Sequence, residues 1–235
     1  AAISAPTPGL DGGRRLSVHD ATNPQAGELA AQAFNEDVNT MAWHPDGRSL
    51  VVADHSGAIH WMDAQTGETE LLGRHKWQAV RAVFSPNGAY LFTPGFAQEF
   101  ICWDARTKRR AFTGSLNGHR IQFSADGGRC ATLTQTTVQL HAFEQPAAHR
   151  EFAEDLGVRL RLATISPDGR WLAASDARRA GVWDLAGGGP GTIETNAYDT
   201  HFYFTPDGRE LLGSRRSQGD EACFRWRLTP ATPPR

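Results

Sequence analysis

Apolar and polar residues alternate along most of this chain with a period of two. Val80, Ala82 and Phe84 alternate with Arg81 and Val83, Ile121 and Phe123 with Arg120 and Gln122, and Leu160 and Leu162 with Arg159 and Arg161. Successive side chains of an extended strand point to opposite faces, so each stretch predicts a strand with one face on a core. A denser apolar run follows each: Leu50–Ala53, Leu91–Phe92, Ala131–Leu133, Leu172–Ala174 and Leu211–Leu212. Such a run predicts a strand buried on both faces. Third stretches come next, at Ile59–Asp63, Phe100–Asp104, Val138–Ala142, Ala180–Asp184 and Phe224–Leu228. Helical spacing is absent throughout, which predicts an all-β fold.

One turn punctuates this pattern. It reads Pro45-Asp46-Gly47, Pro86-Asn87-Gly88, Ala125-Asp126-Gly127, Pro167-Asp168-Gly169 and Pro206-Asp207-Gly208, at intervals of 41, 39, 42 and 39 residues. Pro presets φ at the first corner, Asp or Asn bonds its own backbone, and Gly takes a positive φ. Each turn therefore joins the first strand of a unit to the second. Equal spacing over five copies is the mark of a repeat architecture.

A unit of about 40 residues with a Pro-Asp-Gly turn and a third strand ending on Trp-Asp resembles the WD40 repeat. Trp103-Asp104 and Trp183-Asp184 carry the dipeptide itself. The resemblance spans roughly residues 28–228. It implies a β-propeller of four-stranded antiparallel blades, with five WD-like repeats at about 28–63, 67–104, 109–142, 150–184 and 191–228. Leu16–Asp20 and the turn after it look like a third strand too, which adds a partial unit over 10–27. The Gly-His that often opens the family's repeat survives at Gly118-His119, with Arg74-His75 close to it. The family's structural Asp between strands two and three is mostly replaced, Ser56 standing in its place in the first repeat. The hydrogen-bond network that this Asp anchors is therefore expected to be broken in most blades, as in divergent bacterial-type arrays. Closure is open at this stage. Residues 28–34 could pair with the last strand to make a five-bladed ring, or the chain is part of a longer array whose Pro-rich ends are linkers.

Composition narrows the function. The net charge of −2 argues against a general nucleic-acid binder, which needs a basic excess. Three cysteines, Cys102, Cys130 and Cys223, form no CxxC pair and read as small buried residues of a reduced protein. Ala1–Leu10 lacks the basic start and apolar core of a signal peptide, and no apolar stretch approaches the roughly 20 residues of a membrane helix. The expected location is the cytoplasm, away from any membrane.

Chemistry is sparse. Among nine histidines the nearest pair is His55 and His60, without acidic or Cys ligands at suggestive spacing, so no metal or other cofactor is expected. Nucleophile elbows and phosphate loops do not occur. Gly187–Gly191 precedes no helix. The carboxylates at Glu151, Glu154, Asp155, Asp220 and Glu221 lie in loops. Catalysis is not expected.

A binding surface is. The resemblance puts the loops after strands two and four at one end of the blades. Those loops supply Trp77, Lys76, His75, Phe96, Arg178, Arg179, Arg215 and Arg216, a basic and aromatic set. The Asp-rich turns fall at the opposite end. The expected function is a non-catalytic protein- or peptide-binding scaffold, docking an acidic partner and serving as the sensor or regulatory part of a larger bacterial protein. The other readings are a small-molecule or metal-dependent propeller enzyme, which apolar Val38, Val80 and Leu160 at the inner strand ends disfavour, and an intramolecular module packed on other domains of its parent chain.

Overall fold

The computed structural model describes residues 2–6, 14–116, 121–134, 137–143, 149–152, 162–175, 179–186, 190–194, 201–217 and 220–229. They form 22 strands and one short 3-10 turn, and fall into two compact units, Ala1–Ser115 and Leu116–Arg235.

The first unit holds three antiparallel sheets. The first contains β1 (Ala2–Pro6), β2 (Arg14–His19) and β3 (Glu28–Phe34) in that order. The second runs β4 (Val38–Trp43), β5 (Ser49–Asp54), β6 (Ala58–Asp63) and β7 (Thr69–Arg74). The third runs β8 (Val83–Phe84), β9 (Tyr90–Pro94), β10 (Glu99–Asp104) and β11 (Arg109–Ser115). Residues 28–34 pair with β2, so they complete the partial unit rather than close the last repeat.

The second unit repeats the plan. One sheet runs β12 (Ile121–Phe123), β13 (Arg129–Leu133), β14 (Val138–Ala142) and β15 (His149–Phe152). The next runs β16 (Leu162–Ile165), β17 (Trp171–Ser175), β18 (Arg179–Asp184) and β19 (Pro190–Glu194). The last has three strands, β20 (His201–Phe204), β21 (Glu210–Ser217) and β22 (Asp220–Arg227).

The dense apolar runs are the second strands; both faces of β5 and β17 are buried, whereas in β21 Leu211 is buried and Leu212 is exposed. Leu50 and Val52 of β5 enter a core with Leu16, Val18 and Phe34. Val51 and Ala53 enter another with Phe84, Leu91 and Trp103. In the second unit Leu172 and Ala174 of β17 face Leu133 and Val138, while Trp171 and Ala173 face Phe202 and Leu211. β5 and β17 are thus each sandwiched between two sheets, which is why period-two polarity disappears there.

All five turns form. Gly47, Gly88, Gly127, Gly169 and Gly208 have φ between 68° and 73°. Each donates its N–H to the residue three before it, at 2.8–3.0 Å. The Asp or Asn accepts the backbone N–H two residues on, for example Arg48 at 2.8 Å and Gly128 at 2.9 Å. In four turns a hydroxyl (Ser85, Ser124, Ser166 or Thr205) also donates to that side chain.

Two local expectations need correction. The strand expected over 80–84 is reduced to Val83–Phe84 and an isolated bridge at Ala79, because Pro94 opposite has no N–H to extend the ladder. Cys102 and Cys130 are buried, but Cys223 is exposed on β22. Burial pushes the Cys102 thiol up. Expectations resting on Gly118-His119, Arg159–Arg161 and Gly187–Gly189 lie outside the described residues.

A candidate docking face on the first unit

Two hairpin loops, 55–57 and 95–98, meet the segment 75–82 that joins β7 to β8 in the next sheet at one end of the first unit. The backbone of 75–78 is stitched to its neighbours: His75 N donates to Gly57 O and Phe96 N donates to Gln78 O, both at 2.9 Å. Gly57 makes this possible. Its φ is +88°, and a Cβ there would lie 2.3 Å from the Trp77 carbonyl oxygen. The Gln78 and His55 side chains also touch, and the Asn39 amide donates to Ala79 O. With this scaffold beneath them, Trp77 and Phe96 project outward, 59% and 71% exposed. Lys76 and Arg74 beside them are exposed as well.

His75 behaves differently from its neighbours. Its side chain is fully buried, so it supports the face from inside rather than lining it. Nδ1 lies 3.3 Å from Glu99 Oε1, and Nε2 lies 2.9 Å from Thr93 Oγ1. Trp103 Nε1 donates to the same Thr93 oxygen at 2.9 Å. Burial favours the neutral imidazole; with Nδ1–H donating to the Glu99 carboxylate, Nε2 is left as the acceptor facing the Thr93 hydroxyl, which also lies 3.4 Å from Ile101 O. Burial holds the His75 pKa below its ordinary value, opposed by Glu99. The relay is therefore intact in this repeat, with Glu99 as its outer acceptor. In the fourth repeat Ala174 stands where Thr93 does, and in the fifth Gly213 does. In the third, Thr132 bonds His141 at 3.1 Å in place of an indole.

The first repeat keeps an Asp, two residues before Ser56. Asp54 Oδ1 accepts from Ser56 N, Ser56 Oγ and Ala58 N at 3.0, 2.6 and 3.1 Å, and Oδ2 lies 3.1 Å from His60 Nε2. Burial pushes this carboxyl up, but bonds from Ser56, His60 and Ala58 outweigh it and leave its pKa low. Ser56 donates to Asp54 rather than to His60, so the trio lacks the nucleophile-to-base bond of covalent catalysis. It borders a polar cleft of about 340 Å³ also lined by Glu36 and Arg74. Arg74 reaches Ser56 Oγ at 2.8 Å.

The remaining basic candidates belong to the second unit. Arg178 lies outside the described residues. Arg179 opens β18, opposite Glu194. Arg215 and Arg216 are not in a loop, because β21 runs on through them and pairs them with Ala222 and Glu221. In the first unit, two further arginines, Arg14 and Arg15, are in β2 and bonded to Asp37 and Glu28. Sequence reasoning missed Glu99 and Asp54, whose roles depend on contacts that no spacing reveals.

Among the described residues, no group of three or more His, Cys, Asp or Glu could hold a metal ion, and no helix is long and apolar enough to cross a membrane. Residues 15–87 match the family model described as the Anaphase-promoting complex subunit 4 WD40 domain. No curated protein matches.

Proposed function

We infer that this chain, residues 15–87 of which match a WD40-domain family model, is a WD40-repeat protein and a non-catalytic scaffold that docks a protein or peptide through Trp77, Phe96 and Lys76. The observation that carries this reading is two large aromatic rings held in the open on a backbone fixed by hydrogen bonds. Rigid, exposed aromatic residues make effective anchors because little side-chain entropy is lost on binding. Lys76 and Arg74 beside them favour an acidic segment of the partner. Docking without chemistry suits the sensor or regulatory part of a larger protein.

The test is a linear-peptide array probed with the chain and with Trp77→Ala, Phe96→Ala and Lys76→Glu variants of equal thermal stability. Peptides bound by the wild type should lose at least about tenfold in affinity with Trp77→Ala. Acidic peptides should lose affinity with Lys76→Glu. Binding indifferent to all three substitutions sinks the assignment.

A further inference from the structure

The cleft beside Asp54 lies wholly within the first unit, and its charged groups are not satisfied by one another. One wall is formed by the end of β3 and the two residues after it, Asn35 and Glu36. The other carries Asp54, Ser56 and His60, with Arg74 at the end of β7. Glu36 is exposed and, among the described residues, makes no ion pair or side-chain hydrogen bond. Arg74 is exposed too, and its guanidinium engages only through Nη1, which donates to Ser56 Oγ at 2.8 Å. A carboxylate and a guanidinium thus border the same cleft without pairing.

Asp54 determines what His60 offers. Its carboxylate is buried and saturated: Oδ1 accepts three hydrogen bonds, and Oδ2 lies 3.1 Å from His60 Nε2. Those bonds keep it ionised despite burial. A carboxylate only accepts, so His60 carries a proton on Nε2. The neutral ring keeps a lone pair on Nδ1, and no described residue donates to it. Phe34 packs edge-on against the imidazole, with ring centroids 5.3 Å apart, and restricts its rotation. The cleft therefore presents one open carboxylate, one ring acceptor and one guanidinium.

These charges together select the ligand. Two carboxylates against one guanidinium repel a phosphate or another dianion, and Arg74 repels a simple cation. A molecule that carries both signs suits every group. We propose that this cleft binds a small zwitterion of the α-amino-acid type. Its ammonium pairs with Glu36 and donates to His60 Nδ1. Its carboxylate takes the Arg74 nitrogens that Ser56 leaves open, in the fork geometry that suits a guanidinium. A volume of about 340 Å³ is near the lower end for small-molecule sites and holds such a ligand with its side chain.

The probes are free glycine, alanine, glutamine, glutamate and lysine, titrated into the full chain and followed by calorimetry. At least one should bind saturably with a Kd of about 1 mM or tighter. Its N-acetyl derivative lacks the ammonium and its primary amide lacks the carboxylate, so each should bind at least about tenfold more weakly. Glu36→Gln and Arg74→Gln should cause losses of the same size; both side chains are exposed, so both variants should keep the fold. Trp77→Ala should leave the affinity unchanged, which separates this cleft from the docking face. In the unaltered chain the ligand should shift the backbone amide resonances of 32–36, 54–60 and 74, a readout that needs no variant to fold. Absence of saturable binding by all five at about 10 mM overturns the proposal. So does full affinity of the acetylated or amidated form, or of the Glu36 or Arg74 variant. Shifts that avoid those segments, or a loss of binding with Trp77→Ala, place the ligand elsewhere and overturn it as well.

Discussion

Thr93 joins His75 to Trp103, and replacing it with Val keeps the side-chain shape while deleting the hydroxyl. Thr93 is 0% exposed, Trp103 2% and His75 4%, so water cannot replace the lost group. The substitution strands the indole N–H and the imidazole Nε2, each now 2.9 Å from an oxygen that would be gone. Each buried polar group left unsatisfied costs about 1–3 kcal/mol, so a total loss of about 2–6 kcal/mol is expected. In a chain of this length that lowers the melting temperature by roughly 4–24 °C. Urea unfolding followed by circular dichroism measures the loss directly. Thr69→Val, on the exposed part of β7, serves as the control and should stay within about 0.5 kcal/mol. A Thr93→Val effect no larger than that control would refute the relay. A further check is the Thr93→Val/Trp103→Phe double variant. Phe has no N–H to strand, so the pair should cost at least about 0.5 kcal/mol less than the sum of the singles.

Gly57→Ala should destabilise by at least about 1 kcal/mol, since Ala is strained at φ +88° and its methyl would press on the Trp77 carbonyl oxygen; equal melts would refute this. Trp77→Ala and Phe96→Ala, by contrast, should leave the melt almost unchanged, because neither ring is in a core. The folded-state pKa of His75 lies below its unfolded value, so on acidification the unfolded chain binds the proton first. Stability should therefore fall as the pH drops below about 6.5, and His75→Gln should flatten that slope. Asp54 has a depressed folded pKa, so its contribution is present above about pH 4 and is lost as the pH falls further. Asp54→Asn should remove that acid arm and cost about 1–2 kcal/mol at neutral pH, measured by urea unfolding.

The repeating turns and the doubly buried second strands were legible because both are local: a Pro-Asp-Gly triplet encodes its own bend, and an uninterrupted apolar run records two cores at once. The partial unit before the first full repeat was legible for the same reason, from Leu16 and Val18. Its partner was harder to read, since nothing in 28–34 distinguishes pairing with β2 from pairing with a strand 190 residues on. Trp77 and Phe96 emerged as exposed because they fall outside the alternation. His75 did not emerge as buried, because its fate is decided by Thr93, Glu99 and Trp103, 18 to 28 residues away in sequence. Arg215 and Arg216 read as a loop because charged residues are rare in strands with a buried face, whereas β21 continues through them to Ser217 and stays paired with β22.

The five repeating turns, three of them Pro-Asp-Gly, have an evolutionary corollary. Each is four residues long, closed by its own carboxylate or amide on its own N–H groups, so neither an inserted residue nor a spare charge fits without undoing the bend. Within each sheet that bend is conservative by construction. In the first unit the segments 75–82 and 95–98 are of unequal length and are held through neighbours rather than through themselves. Heritable change in what the first unit recognises is therefore channelled to those segments, while the turns keep the reading frame of each sheet.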